Sequence, residues 1–169
     1  INFYQSLYTY LRASLYSLNI RDRKYSINHQ MSAEEYFNLY KKCVGMESIQ
    51  FSLEDFKRFQ KSKNIKIEKE QNCIAILGLT DREVEIYFIG VAESFRGRGL
   101  GKRFLKSIIS FSKYYGADFI VLEVGINNIP AKNIYLSLNF IEYGIRKNYY
   151  RNISGMQEDA IIMKLNLKT

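Results

Sequence analysis

Several glycines and basic residues lie between an apolar run and a helical pattern in residues 91–105, VAESFRGRGLGKRFL. Within this stretch Arg96, Gly99 and Gly101 form the pattern R-x-x-G-x-G. Glycines lack a Cβ atom and let the backbone approach an anion closely, and the free amides and dipole of a helix that starts there favour negative charge. The spacing predicts a phosphate-binding loop, with a simple tight strand-to-helix connection as the alternative.

Two common nucleotide-binding motifs do not fit this loop. A Walker A loop requires serine or threonine after its Gly-Lys pair, and Arg103 stands at that position. A dinucleotide-binding fingerprint lacks its third glycine, because Lys102 or Phe104 occupies that place, depending on where the motif starts. We therefore expect a phosphate group that is held by neither a P-loop nor a Rossmann fold.

Cysteine and histidine chemistry has little support in this chain. Cys43 and Cys73 are far apart and show no spacing typical of a zinc site or a disulfide framework, so we expect both to be small buried apolar side chains. The one histidine, His29, has no clustered partners. Catalytic triads that use histidine are thus disfavoured, and no metal is expected.

Two residues in the second half of the chain could exchange protons. Glu123 lies in the apolar run DFIVLEVG, where strand alternation puts it on the face opposite Leu122 and Val124. A glutamate in that setting can act as a general base, although a solvated carboxylate is an equally good interpretation. Tyr135 shares a helical face with apolar neighbours, and the pattern alone predicts core packing for its ring.

Composition indicates a single globular domain. The chain has 169 residues, of which 47% are hydrophobic, and it contains neither a run of about 18 apolar residues nor a signal-peptide pattern. These features predict a soluble, cytoplasmic protein. The net charge of +8 suggests an anionic ligand, but the basic residues are scattered among acidic ones and are typical of a solvated surface.

Hydrophobic periodicity alternates between helix and strand along the chain, which predicts an α/β fold with a mixed sheet. The predicted helices are FYQSLYTYLRASLYSL (3–18), SAEEYFNLYKKC (32–43), SLEDFKRF (52–59), KRFLKSIISFSKYYG (102–116) and NIPAKNIYLSLN (128–139). The predicted strands are IKIEKE (65–70), NCIAILGL (72–79), VEIYFIGV (84–91), DFIVLEVG (118–125), NFIEYGIRKNYY (139–150) and EDAIIMKLNL (158–167).

The loop and the elements after it resemble the GNAT acetyltransferase superfamily, in which R/Q-x-x-G-x-G/A at a strand-to-helix junction holds the pyrophosphate of acetyl-CoA. Downstream, the segments LEV (122–124), NN (127–128), NIYLSLNF (133–140), IRKNYY (145–150) and EDAIIMKL (158–165) are similar to the RimI group. That group acetylates the N-terminal alanine of a small-subunit ribosomal protein. The resemblance covers residues 86–165 strongly and residues 31–85 more weakly.

The resemblance implies a single-domain fold, residues 25–169, with a mixed and mostly antiparallel sheet flanked by helices. Residues 1–24 lie outside it and are predicted to form an amphipathic helical extension. It also implies acetyl-CoA as cosubstrate, no metal, and a protein N-terminus as acceptor. Neither nucleic acid nor a membrane is expected as a partner.

The resemblance further assigns roles to individual positions. Glu123 matches the family's proton acceptor, and Tyr135 matches its proton donor. The positions that match acetyl-CoA contacts are Ile89, Val91, Arg96, Gly97, Arg98, Gly99, Leu100, Gly101, Lys102 and Asn128. Tyr149 and Tyr150 match the walls of the acceptor channel.

The chain departs from the family pattern at Gly125, where relatives carry a basic residue, and at Asn139, which replaces a glycine. A catalyst with net charge +8 gains no long-range attraction for a basic acceptor, so we expect compensating acids at the acceptor mouth, with Glu142 and Glu158 as candidates. Two alternatives stay open: an acetyltransferase of a small amine such as a polyamine or aminoglycoside, and a non-catalytic, ribosome-associated module that binds coenzyme A.

Overall fold

A computed structural model describes residues 31–44, 50–151 and 157–168 of the chain. The predicted N-terminal extension (1–24) and His29 lie outside the described residues. From Ser32 onward the described residues form one compact unit. No helix among the described residues is long and apolar enough to cross a membrane.

Four α-helices and six β-strands make up the described part, at the places that the hydrophobic periodicity predicts. The helices are α1 (Ala33–Cys43), α2 (Leu53–Lys61), α3 (Leu100–Tyr115) and α4 (Ile129–Leu136). The strands are β1 (Ile65–Glu70), β2 (Cys73–Leu79), β3 (Glu83–Val91), β4 (Phe119–Gly125), β5 (Ile141–Arg151) and β6 (Gln157–Asn166). A short 3₁₀ turn, Glu93–Phe95, follows β3.

The first two helices begin at serines that form capping boxes. In α1 the Ser32 hydroxyl accepts a hydrogen bond from the Glu35 amide at 3.2 Å, and the Glu35 carboxylate accepts one from the Ser32 amide at 2.7 Å. Ser52 and Asp55 repeat this arrangement at the start of α2. Each box satisfies amides that the helix itself leaves unpaired, which explains why the helices start there.

The strands form one sheet in the order β1-β2-β3-β4-β6-β5. Only β3 and β4 are parallel, and every other neighbouring pair is antiparallel. The prediction of an α/β fold with a mixed, mostly antiparallel sheet flanked by helices is confirmed. Because β3 and β4 run in the same direction, the loop after β3 and the end of β4 lie at the same edge of the sheet.

Each face of the sheet carries its own hydrophobic core. Helices α3 and α4 pack on one face, where Phe104, Leu105 and Tyr135 join the inward side chains of the sheet. Helices α1 and α2 pack on the other face, where Tyr40 and Phe56 are fully buried. We call these the α3–α4 face and the α1–α2 face.

A β-bulge at Tyr87 interrupts the pairing of β2 with β3. Ile76 lies opposite Phe88 and Leu77 lies opposite Ile86, so Tyr87 is an extra residue without a partner on β2. The alternation of β3 therefore changes phase there: Ile86 belongs to the α3–α4 core, whereas Phe88 packs in the α1–α2 core. A bulge of this kind bends its strand and redirects the side chains that follow it.

Just before this bulge, β3 and β4 separate. Their parallel pairing runs from Glu83 opposite Phe119 to Ile86 opposite Leu122 and stops there. The rest of β3, from Tyr87 to Val91, has no strand on its other side among the described residues, and Phe88 to Val91 remain paired with β2. A gap between the two strands thus opens toward the edge of the sheet that carries the glycine loop.

Asn139 adopts the left-handed conformation that the glycine of the family pattern would favour. Its φ is 66°, and its amide donates to the carbonyl of Leu136 at the end of α4. Asparagine tolerates this region better than most residues. Asn139 therefore forms the left-handed turn into β5 itself.

Candidate active site

A cleft of about 370 Å³ opens on the α1–α2 face at the point where β3 and β4 separate. Its wall combines the segment before α2, the bulge of β3, and β4 with β5. The lining residues are Gln50, Phe51, Phe59, Glu85, Ile86, Tyr87, Glu123 and Tyr149. The cleft has apolar walls and two carboxylates, so it is suited to bind a cationic or proton-donating group.

Glu123 lies on the α1–α2 face of β4, as the alternation of that strand predicts, while Leu122 and Val124 are buried on the opposite face. Its side chain is only 14% exposed. The Arg146 guanidinium of β5 approaches it, with Nη1 2.9 Å from Glu123 Oε1. A nearly buried carboxylate requires such compensation.

Tyr149 connects to both members of this ion pair. Its hydroxyl forms a hydrogen bond with the Glu123 carboxylate, which raises the pKa of the tyrosine together with partial burial. The Arg146 guanidinium lies over its ring, with the guanidinium carbon 4.9 Å from the ring centroid. Tyr149 thus walls the cleft beside Glu123. Tyr150 lies next to it in β5.

The backbone of Asn148 helps to place Tyr149. Asn148 has a φ of 55° and lies within a register shift of β5 against β6. Its amide donates a hydrogen bond of 2.8 Å to the Asp159 carboxylate on β6. A non-glycine residue in the left-handed region needs such support, so the conformation before Tyr149 is fixed by a specific contact.

Glu85 and Tyr87 form the β3 side of the cleft. The Tyr87 ring lies against Gly78 of β2, where any Cβ atom would approach the ring carbon Cζ to 2.6 Å. Its hydroxyl makes a side-chain hydrogen bond with Glu85. The pKa of Glu85 is raised, first by burial and then by the negative charges of Glu83 and Glu123.

Tyr135 lies on the other side of the sheet from Glu123. It is 8% exposed, belongs to the α3–α4 core, and contacts the Phe140 ring with centroids 5.7 Å apart. Core packing of this ring is therefore as the helical pattern predicts. The gap between β3 and β4 connects the two faces of the sheet. A molecule that passes through it would therefore contact residues on both faces.

The glycine loop has the geometry of an anion cradle. Gly97 and Gly99 have φ values of 76° and 73°, and no atom lies within 4 Å of the place where either Cβ would be. Gly99 is the N-cap residue of α3 and provides no side-chain cap. The first amides of α3 therefore lack a side-chain partner at an open surface, which is the arrangement that binds phosphate.

Gly101, Leu100 and Lys102 belong to the first turn of α3. Gly101 has no left-handed φ, and a Cβ there would be 3.4 Å from a methyl carbon of Val91. The helix thus packs close to the strand at Gly101, and no left-handed turn requires a glycine there. Ile89 and Val91 pack against the α3–α4 core from the part of β3 that borders the gap.

Arg96 makes contacts within the protein. Its guanidinium donates to the Val91 carbonyl at 3.2 Å and to the Cys43 carbonyl at the end of α1 at 2.8 Å. Arg98 donates to the Ser94 carbonyl at 3.3 Å and lies over the Phe95 ring. Arg96, the first residue of the R-x-x-G-x-G pattern, therefore connects the loop to α1. The spacing of the motif does not predict this contact.

The end of β4 and the start of α4 complete the site. Asn128 is the N-cap of α4, and its side-chain oxygen accepts from the Ala131 amide at 3.3 Å. Next to it, Glu158 of β6 accepts from the Asn127 amide at 2.9 Å and covers Gly125. A carboxylate thus lies beside Gly125 at the end of β4.

Of the two acids suggested for the acceptor mouth, neither lines the cleft, and Glu158 lies at the end of β4. It contacts Gly125, which shares a face of β4 with Glu123. Glu142 instead forms an ion pair of 2.7 Å with Lys132 of α4. This ion pair connects Glu142 on β5 to α4 and thereby supports that helix.

Cys43 and Cys73 are both buried free thiols, as predicted. Burial raises the pKa of Cys43 to about 12. In the described ranges no group of three or more histidine, cysteine, aspartate or glutamate side chains could hold a metal ion.

Comparison with known proteins agrees with this geometry. The family model described as "Acetyltransferase (GNAT) family" matches residues 18–140. A ribosomal protein bS18-alanine N-acetyltransferase from Haemophilus ducreyi is 34% identical over 107 residues, 62% of this chain and 73% of that protein. The protein of the same name from Haemophilus influenzae is 30% identical over 142 residues, 82% of this chain and 97% of that protein.

A solved structure has the same overall fold. The crystal structure of the ribosomal-protein-S18-alanine N-acetyltransferase from Escherichia coli superposes with a TM-score of 0.71 at 26% identity. It covers 85% of this chain and 93% of its own. From the matched family model, the relatives and the shared architecture, we conclude that the chain belongs to the acetyltransferase (GNAT) family.

Proposed function

We propose that this protein transfers the acetyl group of acetyl-CoA to the N-terminal α-amine of a protein, with the N-terminal alanine of a small-subunit ribosomal protein as acceptor. The observation that carries the proposal is the gap between β3 and β4, which joins the glycine loop to the cleft that holds Glu123. The names of the relatives support the choice of acceptor. Such an acceptor places the activity in the cytoplasm, where ribosomes are assembled.

Acetyl-CoA would enter along the open edge of β3. The pyrophosphate would bind the amides at the start of α3 and the loop from Gly97 to Lys102, because Gly97 and Gly99 leave that surface free of side chains. The pantetheine arm would pair with the backbone around Ile89 and Val91. Arg96 would order the loop through the Val91 and Cys43 carbonyls, and Asn128 would border the coenzyme from the start of α4.

The acceptor amine would approach from the cleft on the α1–α2 face. An α-amino group has a pKa near 8 and is mostly protonated at neutral pH, so it must lose a proton before it attacks the thioester. Glu123 is the carboxylate of β4 inside the cleft, and Arg146 and Tyr149 hold it in place. We assign Glu123 as the proton acceptor, with Tyr149 and Tyr150 as walls of the acceptor channel.

The departing thiolate would be protonated by Tyr135 from the α3–α4 face. A thiol has an intrinsic pKa near 8.5 and a tyrosine near 10, so the transfer is feasible when the hydroxyl is held close. Cys43 and Cys73 are buried away from the cleft lining. The acetyl group would therefore move directly from coenzyme A to the amine, without an acetyl-cysteine intermediate.

Selectivity for an α-amine over a lysine side chain has a physical basis in the acceptor itself. The two pKa values differ by about 2.5 units, which makes deprotonation of lysine roughly 3.4 kcal/mol harder at the same pH. A base of fixed strength thus favours the N-terminus. The acetyltransferase domain would comprise residues 25–169, with residues 1–24 as a peripheral extension.

Mass spectrometry of synthetic peptides incubated with the protein and acetyl-CoA tests the proposal. We expect a gain of one acetyl group on the α-amine of alanine-starting peptides and none on the same peptide with a blocked N-terminus and a free lysine. Acetylation of a polyamine or an aminoglycoside without any peptide product would replace the proposed acceptor. Deletion of residues 1–24 should leave turnover near that of the full chain.

A further inference from the structure

One buried tyrosine of α1 contacts a wall of the cleft, and the proposed reaction gives it no role. Tyr40 is fully buried in the α1–α2 core, yet its hydroxyl oxygen reaches the segment before α2. It accepts hydrogen bonds from the Gln50 amide at 2.9 Å and from the Phe51 amide at 3.4 Å. Gln50 and Phe51 both line the cleft that contains Glu123. A single hydroxyl group therefore connects the interior of the domain to the cleft wall.

The ring of Tyr40 contacts the same wall and the strand beside it. It lies edge-on to Phe88, the residue after the bulge of β3, with ring centroids 4.8 Å apart. It also lies 5.8 Å from the Phe51 ring, and that ring packs edge-on against Phe59, another residue of the cleft lining. Aromatic pairs favour such tilted and edge-on arrangements. Tyr40 therefore orients Phe51 through its ring as well as through its backbone amide.

The helix that carries Tyr40 is itself packed firmly against β3. The Arg96 guanidinium donates a hydrogen bond of 2.8 Å to the carbonyl of Cys43, three residues after Tyr40 in α1. The helix lies so close to the strand there that a Cβ atom added at Gly90 would be 2.8 Å from the Cβ atom of Cys43. The Tyr40 hydroxyl can therefore act as a fixed anchor for the wall.

From these contacts we propose that Tyr40 is a positioning residue for the acceptor, because its hydroxyl holds Gln50 and Phe51 where they can contact an acceptor beside Glu123. The inference rests on the function proposed above, in which the acceptor enters this cleft. Because Tyr40 is fully buried, it acts through these two residues rather than by touching the acceptor. A wall that is ordered in advance reduces the entropy that is lost when the acceptor binds. Loss of the hydroxyl should therefore weaken acceptor binding and leave the chemistry unchanged.

Steady-state kinetics of Tyr40→Phe on the full chain tests the inference, because phenylalanine keeps the packed ring and removes only the hydroxyl group. With an alanine-starting peptide, the KM for the peptide should rise about 5-fold, as expected from the loss of one ordinary hydrogen bond. Both kcat and the KM for acetyl-CoA should stay within about twofold of the wild type. Tyr36→Phe makes the same change one turn earlier on α1, where the ring is partly buried against the same core, and should leave all of these constants unaltered.

A further variant separates positioning from a general loss of stability. Ile108→Val removes a methylene group from the α3–α4 core at a buried position, so it should lower the Tm without changing the KM for the peptide. Thermal melting of this variant and of Tyr40→Phe measures the loss of stability in each. If Ile108→Val raised the peptide KM as much as Tyr40→Phe does, the effect would reflect stability and the inference would be wrong.

Amide hydrogen exchange, followed by NMR, observes the contact without turnover. The amides of Gln50 and Phe51 should exchange about 5-fold faster in Tyr40→Phe than in the wild type, because they lose their acceptor oxygen. Amides in the middle of α3 should keep their rates, since that helix lies on the other face of the sheet. Equal exchange of the Gln50 and Phe51 amides in both proteins would show that the hydroxyl does not hold this wall.

The outcomes separate this inference from the proposed function. A wild-type protein that acetylates no α-amine peptide overturns both. With an active wild type, an unchanged peptide KM in Tyr40→Phe, or a loss that appears only in kcat, overturns the role of Tyr40 alone. A higher peptide KM together with faster exchange of the Gln50 and Phe51 amides supports that role.

Discussion

The carboxylate of Glu158 lies directly on Gly125, where an added Cβ would come within 2.9 Å of its Oε1 atom. The same oxygen accepts the Asn127 amide at 2.9 Å. The absence of a side chain at the end of β4 therefore lets a neighbouring strand supply a carboxylate there.

Gly125→Ala should displace Glu158 and break its hydrogen bond with Asn127. The displaced atoms are the end of a flexible side chain, so the main cost is the lost hydrogen bond, about 1 kcal/mol in the free energy of unfolding. Urea unfolding measures this change. In a Glu158→Ala background the same glycine substitution should cost much less, and equal costs in both backgrounds would show that the two residues are not coupled.

Glu123→Gln should lower kcat roughly 10²-fold while acetyl-CoA binding stays intact, because the amide cannot accept the proton of the ammonium. Isothermal calorimetry and initial rates on an alanine-starting peptide provide the two readings. Glutamine keeps a side-chain contact for Tyr149, so the fold should persist. Full activity of the variant across pH 6 to 9 would make Glu123 structural and require another base.

Tyr135→Phe should slow release of the thiol about 10²-fold without loss of stability, since the ring still packs against Phe140. Free coenzyme A can be followed with a thiol reagent in single-turnover experiments. Tyr115→Phe makes the same change on an exposed ring of α3 and should leave the rate unaltered. Equal rates for the Tyr135 variant and the wild type would remove the assignment as proton donor.

Gly99→Ala should weaken acetyl-CoA binding, because it places a methyl group at the open surface of the cradle and strains a backbone with φ of 73°. The strain alone costs about 1–2 kcal/mol. Gly116 caps the other end of α3 with φ of 94° and an equally open Cβ position, so Gly116→Ala carries the same strain away from the loop. The cradle assignment requires that only Gly99→Ala changes the Kd.

The cysteines should not take part in catalysis. With a pKa of about 12, the Cys43 thiol would be ionised to only about one part in 10⁴ at pH 8, and native protein should resist alkylation. The double variant Cys43→Ser, Cys73→Ser should keep a kcat close to wild type even if its stability falls. A stalled acetyl-enzyme on either sulfur, detected by mass spectrometry, would contradict direct transfer.

Local signals in the sequence predicted the elements well, because each depends on residues close together in the chain. The serines before α1 and α2, the helical spacing of α3 and its glycine cap, and the alternation of β4 all have this character. The bulge at Tyr87 has no such signal, since IYFIGV (86–91) is a continuous apolar run. Its position depends on the register of β3 against β2, which only the folded sheet fixes.

The site was predictable only in part for the same reason. The resemblance pointed to Glu123 and Tyr135, but not to the ion pair of Glu123 with Arg146. Their strands are separated in the sheet by β6, which comes last in the chain, so no sequence spacing makes them neighbours. Ala160 of β6 pairs with both Arg146 and Gly125, and its small side chain leaves room over the middle strand.

Because β3 separates from β4, the second half of β3 has a hydrogen-bonding edge that no neighbouring strand occupies among the described residues. From Tyr87 to Val91 its backbone has no strand on the β4 side, and Phe88 to Val91 are paired with β2 only. A ligand that lies in the gap and pairs with this edge would therefore complete the sheet across its middle and join the β1-β2-β3 half to the β4-β6-β5 half. Amide hydrogen exchange along these five residues should then slow when acetyl-CoA is added, and the two halves should unfold together at a higher temperature than without it.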